Sequence, residues 1–321
     1  MTAGAGHPPY RGRFAPSPTG ALHFGSLIAA LASYADARAH AGEWLVRMED
    51  LDRTREIPGA ADAILRTLDA CGFRWDGPTL YQSRRTHAYA AALERLTELG
   101  LTYPCACSRA EIARQVRDGN DCRPAGSRHH TEGPIYPGTC RGGLPPGRPA
   151  RSIRLRTHPG KIRFHDRIQG DQRQDVAAAV GDFVLRRADG IHAYQLAVVV
   201  DDAWQGITQV VRGADLLAST PRQLLLQQAL GLPHPTYAHV PLAVDHAGRK
   251  LSKSLAAAPV DPADPLPALL RAWTWLGQRP PPTEYALSGF WAHAIRTWSC
   301  ARVPVIACAC IDPDPSASIG T

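Results

Sequence analysis

Residues 13–26 decide the fold, and they read RFAPSPTGALHFGS. The pattern predicts a strand from Arg11 to Ala15, a turn rich in proline and glycine, and the first turns of a helix that carries His23 and Gly25. Free N–H groups at a helix start bind phosphate, and a glycine lets a nucleotide approach the backbone closely. We therefore expect a nucleotide site here. An ordinary strand-to-helix turn with an incidental histidine is the alternative.

The alternation of strand and helix continues along the chain. Apolar residues recur at helical spacing over 22–40, and a predicted strand at 44–49 ends in the carboxylate of Glu49. Strands and helices in this order are typical of a parallel sheet with crossover helices, so the predicted fold class is α/β. The other predicted elements are a helix at 58–70, strands at 183–186 and 195–200, and a helix at 220–230 with Thr220 as N-cap and Pro221 at its first position.

A second candidate site lies far away in the sequence, at residues 250–254, which read KLSKS. Two lysines three residues apart, beside small hydroxyl residues, predict a mobile cationic loop. Positioned ammonium groups stabilise the charge that develops on oxygen atoms during phosphoryl or adenylyl transfer. The loop therefore indicates that Lys250 and Lys253 bind phosphate. The alternative is a solvated basic loop without a ligand.

Composition and charge exclude some classes of function. The chain has 321 residues, with 36 Lys and Arg against 29 Asp and Glu, which gives a net charge of +7. This excess favours a polyanionic partner. No apolar run has the length that spans a bilayer, and residues 1–10 lack an apolar signal core, so we expect a cytoplasmic protein without a membrane partner. No G-x-G-x-x-G motif stands at a strand–helix junction, which argues against nicotinamide or flavin chemistry.

Cysteines in the middle of the chain indicate one structural zinc site. Cys105, Cys107 and Cys140 belong to a stretch from about 105 to 149 that is rich in Gly, Pro, Arg and His and reads as an inserted module. Four ligands close a structural zinc tetrahedron, so one ligand is still to be found. Reduced cysteines without a metal are the alternative, and Cys308-Ala309-Cys310 reads as incidental. The candidates for the fourth ligand are Cys122, His129, His130 and Tyr136.

Residues 13–26 and 250–254 together resemble the His-Ile-Gly-His and Lys-Met-Ser-Lys-Ser signatures of class I aminoacyl-tRNA synthetases. Phe24 and Ser26 replace the second and fourth residues of the first signature, and Leu251 replaces the methionine of the second. The opening Arg-Phe-Ala-Pro-Ser-Pro-Thr-Gly and residues 194–217 are similar to the glutamyl and glutaminyl branch. The resemblance covers most of residues 11–255 and implies a Rossmann-like class I catalytic core.

This resemblance implies a site for L-glutamate and for ATP with Mg²⁺. Free glutamate has one ammonium and two carboxylates, so its pocket needs an acid and an arginine, whose fork meets a carboxylate in bidentate geometry. A surface ion pair is the alternative for Arg13 or Arg212 taken alone. The implied glutamate-binding residues are Arg13, Phe14, Ala15, Pro16, Ser17, Glu49, Tyr194 and Arg212, with Glu49 on the α-amino group.

The same resemblance assigns the remaining roles. His23 and Lys253 are the implied catalytic residues because they would stabilise phosphate charge. The implied ATP-binding residues are His23, Gly25, Lys250 and Lys253. In short glutamyl-type proteins a tyrosine lies four residues before the last cysteine, so the implied zinc ligands are Cys105, Cys107, Tyr136 and Cys140.

The domain organisation predicts the acceptor. We expect a flexible tail at 1–10, two halves of the catalytic domain at 11–100 and 181–255, an inserted zinc-binding, acceptor-type subdomain at 101–180, and a short C-terminal region at 256–321 with a partly disordered tail. That last region is too short for an anticodon-binding domain. The resemblance is therefore closest to the truncated glutamyl-Q tRNA(Asp) synthetase family.

Members of that family activate glutamate and esterify it onto queuosine at the wobble position of tRNA(Asp). The resemblance thus implies a monomeric ligase that modifies tRNA. Three alternatives remain at this point. One is a conventional glutamyl-tRNA synthetase that charges the 3′ end of tRNA(Glu), and another is an inactive, synthetase-like RNA-binding module. The third is a different nucleotidyltransferase that shares the His-x-Gly turn.

Overall fold

The structure is a computed structural model that describes residues 9–118, 134–244, 259–282, 286–305 and 308–310. Its strands are β1 (Arg11–Phe14), β2 (Glu43–Met48), β3 (Leu80–Tyr81), β4 (Thr102–Cys105), β5 (Ser152–Leu155), β6 (Lys161–Asp166), β7 (Gly170–Asp175), β8 (Val184–Arg186), β9 (Gln209–Gly213), β10 (Thr236–Val240), β11 (Leu242–Val244) and β12 (Cys308–Cys310). Its helices are α1 (Phe24–Ala39), α2 (Ala60–Ala70), α3 (Thr86–Glu98), α4 (Arg109–Asp118), α5 (Val176–Ala179), α6 (Tyr194–Trp204), α7 (Thr220–Leu230), α8 (Leu266–Trp275) and α9 (Leu287–Thr297).

Two parallel arrays of strands are present, as the alternation of strand and helix predicted. The first has the order β1-β2-β3, and the second has the order β7-β6-β10-β9 with only β7 antiparallel. They meet where Thr208 N–H donates to the carbonyl of Arg11 at 3.0 Å and Arg11 N–H donates to Thr208 Oγ1 at 2.9 Å. Strands β1 and β9 are therefore neighbours, and the chain order reverses between them, which is where α/β sheets bind ligands.

A separate antiparallel sheet has the order β4-β5-β8. The predicted strand at 183–186 is confirmed as β8, but it pairs antiparallel with β5 and does not continue the parallel sheet. Asp182 ties this sheet to the neighbouring loops, because its carboxylate accepts hydrogen bonds from the Tyr103 hydroxyl, the Thr157 hydroxyl and Arg141. Cys105 ends β4 and Cys107 follows in the next loop, and both belong to the cysteine cluster described below.

The main core surrounds α1. Helix α1 is buried along most of its length, and Trp44 and Phe73 pack beside it with no exposed surface. Helices α8 and α9 add Trp273 and Phe290 to the same core. Helices α8 and α9 therefore pack in the same core as α1. Among the described helices, none has the length and apolar character that crossing a membrane requires.

The predicted strand at 195–200 is wrong, because these residues lie in helix α6. Its apolar run, Leu196 to Val199, is fully or almost fully buried between α3 and α7, against Tyr89 and Leu226 among others. A short apolar run buried on all sides has no periodicity that separates a strand from a helix. Tertiary packing therefore overrides the strand preference of the three valines.

The predicted N-cap at Thr220 is also wrong. Ser219 is the residue that precedes α7, it has helical dihedral angles, and its side chain makes no capping hydrogen bond. A 3₁₀ helix at Ala214–Ser219 leads directly into α7, so no extended residue is present to act as a cap. The hydroxyl of Thr220 instead accepts a hydrogen bond from Arg212 Nη2 at 3.0 Å.

Candidate active site

Four of the predicted glutamate-binding residues meet at the carboxyl ends of β1, β2 and β9. Arg13 lies in β1, Glu49 directly follows β2, Arg212 lies in β9, and Tyr194 begins α6. Burial and the charge of Glu49 raise the pKa of the Tyr194 phenol to about 12, whereas Arg212 and Arg13 act in the opposite direction. The four side chains are therefore within electrostatic range of one another at the point where the strand order reverses.

The buried carboxylate of Asp202 positions Arg13. Asp202 Oδ1, on α6, accepts hydrogen bonds from Arg13 Nε at 3.2 Å and from Arg47 Nη1 at 2.8 Å. Arg47 Nη1 also donates to Gln205 Oε1 at 2.8 Å. Burial would raise the pKa of Asp202, but the two arginines hold it below its ordinary value, so the carboxylate stays ionised. The ionised carboxylate of Asp202 thus orients Arg13.

Glu49 is a buried carboxylate without full compensation. Its Oε1 atom lies 3.5 Å from Arg47 Nη2 and has no hydrogen-bond partner among the described residues, although it is shielded from solvent. Burial raises the pKa of Glu49 from 4.5 to about 7, against the opposing charges of Arg47 and Arg13. A buried acceptor of this kind is completed by a cation or by a donor from a ligand.

One nitrogen of the Arg212 guanidinium has no hydrogen-bond partner among the described residues. Its Nε donates to His239 Nε2 at 3.0 Å, and its Nη2 donates to Gln223 Oε1 at 2.8 Å and to Thr220 Oγ1 at 3.0 Å. Its Nη1 atom is buried and has no hydrogen-bond partner in the described part of the chain. A fork held on two of its three nitrogens leaves the third for an anionic ligand.

The predicted site residues from Phe14 to Ser17 differ in their burial and therefore in what they can offer a ligand. The ring of Phe14 lies in the main core, so only its backbone can reach a ligand. Pro16 is buried, and its carbonyl accepts the Glu49 N–H at 2.9 Å, which fixes the start of the loop after β2. Ala15 is half-buried, whereas Ser17 is exposed and lines a cavity beside Glu49.

His23 stands at the N-terminus of α1. Its Nδ1 accepts the Ser26 N–H at 3.3 Å, and its Nε2 lies 3.1 Å from Ser26 Oγ. A Cβ atom on Gly25 would lie 3.4 Å from the imidazole, so the glycine leaves space on that side of the ring. Pro259 pairs with His23 in an antiparallel bridge. The predicted ATP residues His23 and Gly25 are thus adjacent at a helix start.

Several predicted residues lie outside the described part of the chain. They are Lys250 and Lys253 of the cationic loop, and the alternative zinc ligands Cys122, His129 and His130.

A cavity of about 540 Å³ extends from Glu49 and Tyr194, two of the four converging residues, toward the antiparallel sheet. Ser17, Glu49 and Tyr194 line one end, whereas Cys107 and Arg151 line the other. A volume in this range accommodates a ligand the size of a nucleoside. The charged residues around it are five arginines and three acids, namely Arg55, Arg109, Arg151, Arg154, Arg187, Glu49, Asp52 and Asp189.

The three predicted cysteines form a cluster that can hold a metal ion. The Sγ atoms of Cys105, Cys107 and Cys140 all lie within 4.8 Å of one another. Cys107 Sγ is 3.7 Å from Cys140 Sγ, and Tyr136 Oη is 3.4 Å from Cys105 Sγ and 3.9 Å from Cys107 Sγ. Ligand atoms of a tetrahedral zinc–thiolate site are roughly 3.8 Å apart, so the three thiols have a spacing that suits metal ligands.

Residues 10–263 match the family model for the catalytic domain of class I tRNA synthetases (E and Q). The chain belongs to this family. It is 58% identical over 302 residues to the glutamyl-Q tRNA(Asp) synthetase of Dechloromonas aromatica, a match that covers 92% of this chain and 96% of that protein. It is 55% identical over 295 residues to the glutamyl-Q tRNA(Asp) synthetase of Chromobacterium violaceum, covering 92% and 95%.

The fold of the chain is that of a solved glutamate–tRNA synthetase. The crystal structure of the enzyme from Elizabethkingia anophelis superposes with a TM-score of 0.76 at 24% identity, and the match covers 95% of this chain and 68% of that one. At this identity the likeness establishes the architecture alone. The resemblance to the class I catalytic core is therefore confirmed as a fold.

Sequence reasoning missed the residues that hold the converging side chains in place. Asp202 lies inside the segment 194–217 that is similar to the glutamyl and glutaminyl branch, but its residue type alone predicts no role for it. Arg47, two residues before Glu49, and His239 were not singled out. A lone charged residue inside an apolar strand carries no periodic signal. The partner of Arg47, Asp202, is 155 residues away in the sequence, and the partner of His239, Arg212, is 27 residues away.

We expect Asp202→Ala to destabilise the fold strongly. The substitution leaves Arg13 and Arg47 buried without their carboxylate, and removal of one partner from a buried pair typically costs about 3–5 kcal/mol. Urea unfolding would measure the loss. The matched control is Glu43→Ala, which removes the half-exposed partner of Arg11 and should cost about 1 kcal/mol or less. Equal losses in the two variants would contradict a structural role for the buried network.

Proposed function

We propose that this chain activates L-glutamate with ATP and transfers the glutamyl group to the queuosine base of tRNA(Asp). One observation carries the first half of the proposal. Glu49 Oε1 and Arg212 Nη1 are both buried, and both lack a hydrogen-bond partner among the described residues. Both residues lie close enough to Tyr194 for their charges to shift its pKa. A ligand with an ammonium at one end and a carboxylate at the other completes both atoms. The names of the relatives support the second half.

In the proposed first step, an oxygen of the glutamate α-carboxylate attacks the α-phosphorus of ATP. A new P–O bond forms, the bond to the bridging oxygen of the β-phosphate breaks, and pyrophosphate leaves. Glu49 binds the ammonium of glutamate, and Arg13 and Arg212 orient its carboxylates. Magnesium bound to ATP would neutralise phosphate charge. No side-chain nucleophile is needed, because positioning and electrostatic stabilisation supply most of the acceleration.

We further propose that His23, Gly25, Lys250 and Lys253 bind the triphosphate. His23 and Gly25 lie at the N-terminus of a 16-residue helix, where N–H groups and the helix dipole favour anions. Pro259, which pairs with His23, follows Lys253 by six residues. Six extended residues span at most roughly 20 Å, so the chain path allows the lysine to reach the phosphates beside His23.

In the proposed second step, a hydroxyl of the queuosine cyclopentenediol attacks the glutamyl carbonyl. The new ester bond forms as the bond to AMP breaks, the hydroxyl loses its proton, and AMP leaves. The cavity beside Glu49 continues toward Arg109 and Arg151, which supports entry of a polyanionic acceptor from the side of the antiparallel sheet. The proposed acceptor-type subdomain would then lie within residues 101–180, apart from β6 and β7, which belong to the second array of strands.

Two assays test this function. Glutamate-dependent ATP–pyrophosphate exchange tests activation, and absence of exchange at saturating substrates would favour an inactive RNA-binding module. Transfer of labelled glutamate is then compared on tRNA(Asp) with queuosine, tRNA(Asp) without queuosine, and tRNA(Glu). We expect label on the first alone. Label on tRNA(Glu) alone would refute the proposed acceptor and leave the activation step standing.

We also propose that Cys105, Cys107, Tyr136 and Cys140 hold one structural zinc ion. All four side chains are buried, and the thiols form the core of a small cluster with Tyr103 and Ile112. The Tyr136 hydroxyl also accepts the Cys140 N–H at 2.8 Å, so it already points into the cluster. A closed set of four donors fits a structural ion that fixes the loops around β4 and takes no part in the reaction.

We expect the purified protein to contain about one zinc per chain and Cys140→Ser to lose it. Elemental analysis by mass spectrometry measures the content. Cys71→Ser is the matched control, because Cys71 is equally buried but lies in the main core, away from the cluster. Tyr136→Phe identifies the fourth ligand. Full zinc retention there, with loss in Cys122→Ser, would assign the position to Cys122.

A further inference from the structure

Asp166, His239 and Arg212 form a buried relay, in which each side chain contacts the next. His239 Nδ1 lies 2.5 Å from Asp166 Oδ2, and His239 Nε2 lies 3.0 Å from Arg212 Nε. Both Asp166 and His239 are essentially fully buried, and Arg212 is 5% exposed. Arg212 Nε can only donate a hydrogen bond, so His239 Nε2 must accept and His239 Nδ1 must carry the proton that Asp166 accepts.

The orientation of Asp166 is fixed independently of the histidine side chain. Its Oδ1 accepts three backbone N–H groups, from Ile168 at 3.0 Å, Gln169 at 2.8 Å and His239 at 3.1 Å. Burial alone would raise the pKa of Asp166, but these bonds and the His239 side chain hold it below its ordinary value, so Oδ2 faces His239 as a carboxylate oxygen. Burial lowers the pKa of His239 to about 4, so its ring is neutral at physiological pH.

We propose that Asp166 and His239 are positioning residues whose fixed tautomer aims Arg212 Nη1 at a carboxylate of the amino-acid substrate. The inference rests on the proposed function. It adds that recognition of glutamate depends on a proton held at His239 Nδ1, on a side chain that is fully shielded from solvent. Neither residue is a catalytic residue, because the histidine contacts the guanidinium and the aspartate contacts the histidine.

Structural necessity alone does not account for this arrangement. Arg212 Nη2 already has Gln223 and Thr220 as partners, so the guanidinium is held at one nitrogen without the histidine. The contact with His239 at Nε adds a second fixed point, and two fixed points define the direction of Nη1 in the guanidinium plane. A precise direction for the unpaired nitrogen matters for a ligand and brings no advantage to packing.

Asp166→Asn tests the tautomer while keeping the shape of the side chain. The three backbone N–H groups hold the amide oxygen at the Oδ1 position, so the amide NH₂ faces His239 Nδ1 as a donor. His239 must then protonate Nε2, which places two donors against each other at Arg212 Nε. Hydrogen bonds to charged groups are strong enough that we expect the KM for glutamate to rise roughly ten- to a hundredfold. The KM for ATP should stay near the wild-type value.

His239→Gln and His239→Asn form a second, independent pair. A glutamine amide reaches the Nε2 position and can accept from Arg212, whereas an asparagine amide reaches only the Nδ1 position and keeps the bond to Asp166. We expect His239→Gln to retain glutamate affinity better than His239→Asn by about tenfold. Equal affinities, or the reverse order, would overturn the proposal.

Calorimetric binding of glutamate, pyrophosphate exchange and the melting temperature are measured on every variant. Asp36→Asn is the control for loss of a buried carboxylate, because Asp36 is fully buried and pairs with Arg167 and Trp298, outside the relay. It should lower the melting temperature and leave the KM for glutamate unchanged. The same pattern in Asp166→Asn would reduce the relay to a structural role.

The failure of this inference differs from the failure of the proposed function. Wild-type protein that binds glutamate without pyrophosphate exchange would refute activation, and calorimetry on the variants would still test the relay. Wild-type protein that does not bind glutamate would overturn both.

Discussion

We expect Glu49→Gln to lower glutamate-dependent pyrophosphate exchange roughly a hundredfold or more, because the site loses the only charge assigned to the substrate ammonium. The loss should appear mainly as weaker glutamate binding. The KM for ATP should change little, since Glu49 is placed on the amino-acid side of the site. Exchange kinetics at varied glutamate and ATP measure the two effects separately. An unchanged KM for glutamate would contradict the role of Glu49.

The pH dependence of the wild type provides a second readout for the same residue. Only the ionised carboxylate accepts the ammonium, and the pKa of Glu49 in the free protein is raised to about 7 by burial. The KM for glutamate should therefore rise as the pH falls below about 7, by up to tenfold per pH unit. Glu49→Gln should lose this pH dependence. Asp52, whose pKa is lowered by Thr54 and Arg187, stays ionised throughout and does not contribute to it.

As the pH rises, the free energy of unfolding should fall while the affinity for glutamate increases. The raised pKa means that the folded state binds the Glu49 proton more tightly than the unfolded chain does. The corresponding contribution to the free energy of unfolding is present below pH 4.5 and is lost as the pH rises through about 7, by about 3 kcal/mol. Glu49→Gln should therefore be more stable than the wild type at pH 8 and similar to it at pH 4.5. Lower stability at pH 8 would indicate a structural role for the carboxylate.

Arg212→Ala should nearly abolish activation, with a loss in kcat/KM of roughly a thousandfold. The substitution removes the free Nη1 donor together with the nitrogens that Gln223 and His239 hold. Arg212→Lys keeps the charge but cannot form the planar fork, so it should recover only a small part of the activity. Exchange kinetics measure both variants. Full activity in the lysine variant would show that charge alone is read at this position.

Arg167→Ala separates this effect from a general loss of stability. Arg167 is also an arginine whose guanidinium is held by buried partners, since its Nη2 donates to the Asp36 carboxylate at 2.9 Å, but it lies outside the converging residues. Arg167→Ala should lower the melting temperature and retain the KM for glutamate. If it loses exchange as severely as Arg212→Ala, the loss in Arg212→Ala does not report on substrate recognition.

The first strand–helix–strand–helix unit was predictable because each element carries its own local signal. Helix α1 and strands β1 and β2 lie within one or two residues of the positions expected from apolar spacing and turn residues. That Arg13, Glu49, Tyr194 and Arg212 lie near one another was predictable through family motifs, and their binding of glutamate stays a prediction. Residues 195–200 were not, because three successive valines suit a strand as well as a buried helix.

The sequence by itself determined the fold class, the charges of the converging side chains and the three thiols of the cysteine cluster, because these depend on local spacing and on residue identity. Only the tertiary structure decided which atoms of those groups are already used. Asp202 and His239 come from distant parts of the chain and occupy particular nitrogens of Arg13 and Arg212, which leaves Arg212 Nη1 for a ligand. Hydrogen bonds between distant residues leave no local pattern in a sequence, because each partner is chosen by the packing of the sheet.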